Sequence, residues 1–306
     1  MQSSSVSRLL DVHPLLPERV LQATLGRTLR GVRLALCLHR VQLYSNATLA
    51  LSATTSAAAD LDALITLLLS ACPRNEDGWL TISFDDGYRD AAEYVTSRCS
   101  RWPSVRWLVF VCPRKLAARA GFRWDLPEGA ANRDPFAGAY DVSAENLRSD
   151  LRGLADAPEC QLASVEECRR LAELSGVTLG NHTNCHFRQT GLSLADARQD
   201  LLESKAEFEQ LFGQTCEFAF PFGTPRSEFT EEHVALAGEA GYAHIWSTEP
   251  RPHATADLGS GRALPRIAIF GDWPMKKTAA YLALRALQYQ VRSRRQPKPD
   301  GEDQCA

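Results

Sequence analysis

The chain has 306 residues, a formal net charge of -3, and acidic and basic residues spread along its length, so no basic stripe marks nucleic acid as a partner. A single α/β barrel occupies about 250 residues, so this length suits one large core. The nine cysteines are odd in number and form no C-x-x-C pair, which argues against a zinc knuckle or a complete disulfide framework and predicts reduced thiols.

Residues 1–30 read as an N-terminal helical extension with scattered charges and no apolar leader region, and no apolar run is long enough to span a bilayer. A cytoplasmic protein is expected. Strands are then predicted at 32–39, 79–84, 105–112, 177–182, 216–222, 242–248 and 264–269, with helices at 56–70, 164–176, 193–213 and 230–241. This alternation predicts a parallel α/β sheet, closed or doubly wound. Ser164 and Glu167 have capping-box spacing, and Thr230 precedes His233 with Glu231 and Glu232 in the first turn. Gly176, Gly213 and Gly241 follow helices they can close. Residues 113–162 lack a clean period and read as an insertion shaping one end of the sheet. The basic pattern over 275–295 suits either packing on the barrel or contact with a membrane surface. The polar tail 294–306 is expected to be disordered.

Two features carry chemistry. "TISFDDG", residues 81–87, places Asp85 and Asp86 at the carboxyl end of a strand, where ligands collect in parallel sheets. Two adjacent carboxylates repel and call for a cation or a shared proton, although Asp-Asp-Gly also suits an Asx-type turn. "GNHTNCH", residues 180–186, follows the next apolar strand but one and offers His182 and His186 four apart, a spacing that sets two imidazoles on one face of a helical turn. Two imidazoles and a carboxylate suit Zn²⁺ with an open position, and Co²⁺ or Ni²⁺ could serve.

These motifs, with "FAFPFG" at 218–223 and the stretches "GFRWDL" and "SVEECRRLAELSGVTLGNHT", resemble the polysaccharide deacetylases, carbohydrate esterase family 4 or NodB-homology group, over roughly residues 32–272. The resemblance implies a deformed (β/α)7-like barrel over 31–293 and removal of acetyl from an N-acetylated sugar or glycan. It makes Asp85 the general base and Asp86, His182 and His186 the metal ligands. The doublet then has a division of labour: one carboxylate holds the cation and its neighbour takes a proton from the attacking water. A backbone N–H near Phe222, in Pro221–Phe222–Gly223, is the expected oxyanion donor.

Two departures stand out. The family's arginine two residues before the third-motif proline is Ala219 here, and no histidine follows His253. "LALCLHRV" ends a strand with His39 and resembles a segment of the circularly permuted poly-N-acetylglucosamine deacetylases, in which the acid histidine precedes the Asp-Asp motif. His39 is accordingly the candidate general acid, against a structural role at a strand end. Arg266 in "LPRIAI" resembles that group's P-R-I segment and is the candidate to orient Asp85, against a surface ion pair. Cys185 reads as a variable position between ligands, and Trp124, Trp246 and Trp273 either stack on sugar rings or fill the core. O-acetyl ester or small non-sugar amide hydrolysis on the same metal site, and a catalytically silent barrel that binds glycans or a partner protein, are the competing functions.

Overall fold

Leu34–Leu38 and Leu80–Phe84 are buried at every residue, as strands are when helices cover both faces of a parallel sheet. A computed structural model of the chain describes residues 17–43, 52–73, 78–125 and 160–295. The first half runs α1 (Glu18–Thr28), β1 (Leu34–Leu38), β2 (Arg40–Gln42), β3 (Thr55–Ala57), α2 (Ala58–Ala71), β4 (Leu80–Phe84), α3 (Arg89–Arg98), β5 (Val105–Val111) and α4 (Pro113–Ala118). The second runs α5 (Val165–Ala172), β6 (Val177–Asn181), α6 (Leu194–Phe212), β7 (Glu217–Ala219), α7 (Glu231–Glu239), β8 (His244–Trp246), β9 (Ile267–Ala268) and α8 (Met275–Arg295).

Seven strands form one parallel sheet in the order β8-β7-β6-β5-β4-β1-β9, and β2 and β3 form a small parallel pair. The segment leading into β9 joins the two edges. Leu264 N–H donates to Ile245, and Ser247 N–H and Arg266 N–H donate to Leu264 and Ser247, while Ile267 and Ala268 pair with Leu36 and Cys37 of β1. The sheet is therefore curled into the deformed (β/α)7-type barrel that the sequence led us to expect. Its interior holds Ala35, Leu108, Phe110, Ala219, Trp246 and Leu264, and the larger apolar cluster lies between strands and helices.

Helix boundaries follow the expected chemistry. Ser164 and Glu167 exchange both capping-box bonds, and His233 takes the equivalent reciprocal place opposite Thr230. Gly176, Gly213 and Gly241 all have positive φ. The strand expected at 216–222 ends at Ala219, because Pro221 has no N–H and Phe222 turns to φ 60°. Helix α3 and the β2–β3 pair, absent from the sequence reading, lie beside β1 and β4. Trp246 is 1% exposed, with its Nε1–H on Glu217 Oε2 at 2.7 Å, so it fills the barrel. Trp273 packs on Phe270 and Tyr281. Helix α8 lies against α1 and α2, and no described helix is long and apolar enough to cross a membrane. Most of the expected insertion and the terminal tail, 126–159 and 296–306, falls outside the described residues.

Gly180 shows how closely this interior is packed. A Cβ there would lie 2.4 Å from two ring carbons of Phe110 and 3.1 Å from Glu217 Cβ. Phe110 in turn carries the Arg266 guanidinium 5.0 Å above its ring. Gly180→Ala should therefore cost about 1–3 kcal/mol through overpacking, read as a lower urea midpoint with an unchanged slope.

Candidate active site

The site lies at the carboxyl ends of β1, β4, β6 and β7 and beside the entry to β9. Asp85 N–H donates to Leu38 at 2.9 Å, which extends the β4–β1 ladder one residue beyond Phe84. The chain then turns through Asp86 and Gly87, at φ 75° and 82°. Gly87 is required twice over, by its φ and because a Cβ would press on Val111 and Leu116 at 3.2–3.3 Å. The other motif residues with positive φ are Thr183, His186, Phe222 and Gly223. Non-glycine residues in this region cost roughly 1–3 kcal/mol each and gather where function fixes the geometry.

Arg266 is fully buried and holds Asp85 bidentately, with NH1 to Oδ1 at 2.6 Å and NH2 to Oδ2 at 2.9 Å. Its NH1 also donates to Ser83 Oγ and its Nε to the Ser247 carbonyl. The surface ion-pair alternative is thereby excluded. Burial alone pushes the Asp85 carboxyl pKa up, but the guanidinium and the nearby His182 overcome it and hold the group well below the carboxylate range. Burial likewise works against Asp86, whose pKa is nevertheless lowered by His186.

His182 and His186 meet Asp86 by a different route from the helical turn that their spacing suggests. Strand β6 ends at Asn181, and His182 N–H still bonds to Val111 at 2.9 Å. Two left-handed residues, Thr183 and His186, then fold the chain back, and Thr183 Oγ1 accepts from His186 N–H. Nδ1 of His182 lies 2.7 Å from the Ala219 carbonyl. A carbonyl only accepts, so Nδ1 carries the proton and Nε2 presents its lone pair. Burial keeps this ring neutral by lowering its pKa to about 4, against the pull of Asp85.

Asp86 Oδ1 lies 3.2 Å from His186 Nε2 and 3.7 Å from His182 Nε2, yet it is buried without an aligned hydrogen bond. Ligand atoms around a tetrahedral Zn²⁺ with 2.0–2.1 Å bonds sit roughly 3.3 Å apart. An orphaned carboxylate oxygen, a neutral imidazole with a fixed tautomer and this spacing all fit a divalent metal. Asp86, His182 and His186 could hold it.

The remaining expected residues surround this group. His39 is half-buried, and one of its ring nitrogens falls within 4.8 Å of an Asp85 oxygen and of Cys37 Sγ. The Phe222 ring stands edge-on to His186 at 4.6 Å. Gly223 fits only as glycine, since a Cβ would meet Thr248 at 2.7 Å. Its N–H closes a tight turn onto the Pro221 carbonyl. Trp124 stacks on Phe122 and meets His186 edge-on at 4.9 Å. Tyr88 fixes it there, accepting from Trp124 Nε1–H and donating to Asp125.

The sequence reading missed Cys37, whose thiol donates to Asp85 Oδ2 at 3.4 Å, as well as Ser83 and the Tyr88–Asp125 pair. Alternation along β1 puts Cys37 and His39 on one face, a signal available in "LCLH". Nothing in the sequence signalled the Ala219 carbonyl.

The polysaccharide deacetylase family model matches residues 73–245, more than half of the 306 residues. The chain belongs to the polysaccharide deacetylase family, hydrolases that act on acetylated polysaccharides. No curated protein matches it. Among solved structures, it resembles the Streptococcus pyogenes deacetylase PplD in complex with acetate at 14% identity and TM-score 0.51, covering 80% of this chain and 96% of that one. A de-N-acetylase from Aggregatibacter actinomycetemcomitans matches at 12% identity and TM-score 0.52, covering 82% and 99%. IcaB from Ammonifex degensii matches at 16% identity and TM-score 0.50, covering 84% and 97%. These likenesses establish a shared fold.

Behind the histidine loop, Gln189 Nε2 donates to Asp200 Oδ2 on α6 at 3.0 Å. Burial raises the Asp200 pKa to about 6, with the Gln189 amide offsetting part of the rise. The native state therefore binds this proton more tightly than the unfolded chain does. Stability should fall as pH rises between about 4 and 6, by up to about 3 kcal/mol. Asp125 is also raised to about 6 by burial, so denaturant melts across that range should show a slope in the parent protein that is shallower in Asp200→Asn.

Proposed function

We propose that this protein is a metal-dependent hydrolase that removes acetyl groups from N-acetylated sugars of a glycan, a glycan precursor or a glycoconjugate. The observation that carries the reading is the contact between two sets of residues. A metal-fitting Asp86–His182–His186 group lies directly beside a carboxylate, Asp85, that a buried arginine keeps ionised and aimed.

Asp86, His182 and His186 would hold a divalent ion, which would supply Lewis acidity to the hydrolysis, with Zn²⁺ the best fit to the donors and Co²⁺ or Ni²⁺ able to replace it. Asp85 accepts the proton of the attacking water. Arg266 keeps the Asp85 plane fixed, so the accepting oxygen does not rotate away. A backbone N–H near Phe222 is the oxyanion donor in this reading. His39, with a ring nitrogen within 4.8 Å of an Asp85 oxygen, gives a proton to the departing amine. A placed acid favours amides over esters, since an alkoxide needs less help to leave. Trp124 and Phe222 form an aromatic wall over His186 against which a sugar ring can pack.

His39 directly follows β1, which precedes the Asp-Asp strand in sequence and neighbours it in the sheet, an order in keeping with a permuted barrel. The free thiols of the described cysteines accord with a reducing compartment and a cytoplasmic substrate. Membrane contact through 275–295 forms no part of this mechanism.

Acetate release from N-acetylglucosamine oligomers and soluble N-acetylhexosaminides by zinc-loaded protein tests the proposal. Asp85→Asn should abolish turnover to background while retaining zinc, and His39→Ala should lose about 10²–10⁴-fold on amides and far less on matched O-acetyl esters. Bound zinc with ester turnover alone would move the assignment to an esterase. Absence of both zinc and turnover would leave the silent glycan-binding barrel.

A further inference from the structure

β1 presents a second set of metal-ligating atoms to the same cleft. Cys37 and His39 lie two residues apart and so project to one face of the strand, opposite Asp85. One ligand atom each from Cys37, His39 and Asp85 lies within 4.8 Å of the others. Cys37 is fully buried and His39 half-buried. The Cys37 Sγ–Asp85 Oδ2 separation is 3.4 Å, spanned now by the thiol proton. A tetrahedral zinc with S and O bonds of 2.3 and 2.0–2.2 Å needs roughly 3.6 Å between those two ligands. A small shift of one side chain lets the metal take the proton's place.

We propose that Cys37, His39 and Asp85 form a second, inhibitory site for thiophilic divalent metals, filled after the Asp86–His182–His186 site. On binding, the Cys37 thiol releases its proton to solvent, and the thiolate, one His39 nitrogen and one Asp85 oxygen coordinate the ion. Occupancy stops turnover because it captures the base and the acid together; this part rests on the roles assigned to Asp85 and His39. Sulfur makes the site selective. Zn²⁺, Co²⁺ and Cd²⁺ bind it, while Mg²⁺ and Ca²⁺, which take oxygen ligands, do not. Arg266 and the first ion are nearby positive charges, so the second ion binds more weakly than the first.

Another Cys–Glu–His group, Cys216, Glu217 and His244, occurs at the opposite ends of the strands. It differs where it matters. Glu217 Oε1 already takes both Arg106 and His244 at 2.5–2.6 Å, whereas Asp85 Oδ2 has Arg266 and only the thiol proton that the metal would replace, and His244 Nδ1 is too close to Glu217 Oε1 for both to share a metal.

The test is a Co²⁺ titration of the metal-free full chain, followed in parallel by equilibrium dialysis, near-ultraviolet absorbance and acetate release. The first equivalent has only N and O ligands and should activate without a sulfur-to-cobalt charge-transfer band. The second should bring that band and inhibit, leaving roughly a tenth of turnover at about ten times its dissociation constant. Cys37→Ala and Cys37→Ser, each compared with its own one-equivalent turnover, should lose both band and inhibition. Cys216→Ala should keep both. A band and inhibition that persist in the two Cys37 variants, or a parent protein that binds no second equivalent, would overturn the proposal. The band reports binding without turnover, so a protein inactive on every sugar still decides the site while failing the deacetylase reading.

Discussion

The site is organised around the buried ion pair between Arg266 and Asp85. A carboxylate with 3% of its surface exposed would protonate in an apolar interior, and a guanidinium there would be more costly still. Each makes the other tolerable, and removing one partner of such a pair typically costs about 3–5 kcal/mol. The pair also ties the fold together. Arg266 lies where the chain passes from β8 to β9 and closes the sheet, Asp85 lies at the end of β4, and Ser83, Ser247 and Phe110 complete the arginine's surroundings. The contact that keeps Asp85 charged also ties the entry to β9 to the end of β4.

The metal-fitting side of the site depends on backbone placement more than on charge. Asp86, Thr183, His186 and Phe222 all take left-handed conformations, and the Ala219 carbonyl fixes the tautomer of His182. The residue that stands where the family's arginine is expected thus contributes through its main chain.

The sequence made the barrel legible because its strands are short apolar runs, of which β4, β5 and β7 run into Asp or Pro within two residues, and because α5, α6 and α7 begin at Ser or Thr caps. Asp85, Asp86, His182 and His186 were visible through motif spacing, and Arg266 and His39 through resemblance to a permuted relative. Helix α3 was missed because its buried residues are Ala91, Ala92, Tyr94 and Val95, a weak apolar stripe in a polar segment. The route from His182 to His186 was misread because spacing of four is equally served by a loop with two positive-φ residues. Tyr88–Asp125 and Cys37–Asp85 join residues far apart in the chain through single side chains, and periodicity carries no information about such pairs.

Arg266→Met offers the most direct test of this arrangement, since it removes the cation while leaving every proposed ligand in place. Acetate release and bound zinc should be measured together in the parent and the variant, each loaded with one equivalent of zinc. If Arg266 keeps Asp85 ionised and aimed, turnover should fall by about 10²–10⁴-fold, the range of a lost general base, while the zinc content stays at one equivalent. Full turnover in Arg266→Met with one bound zinc would contradict the account.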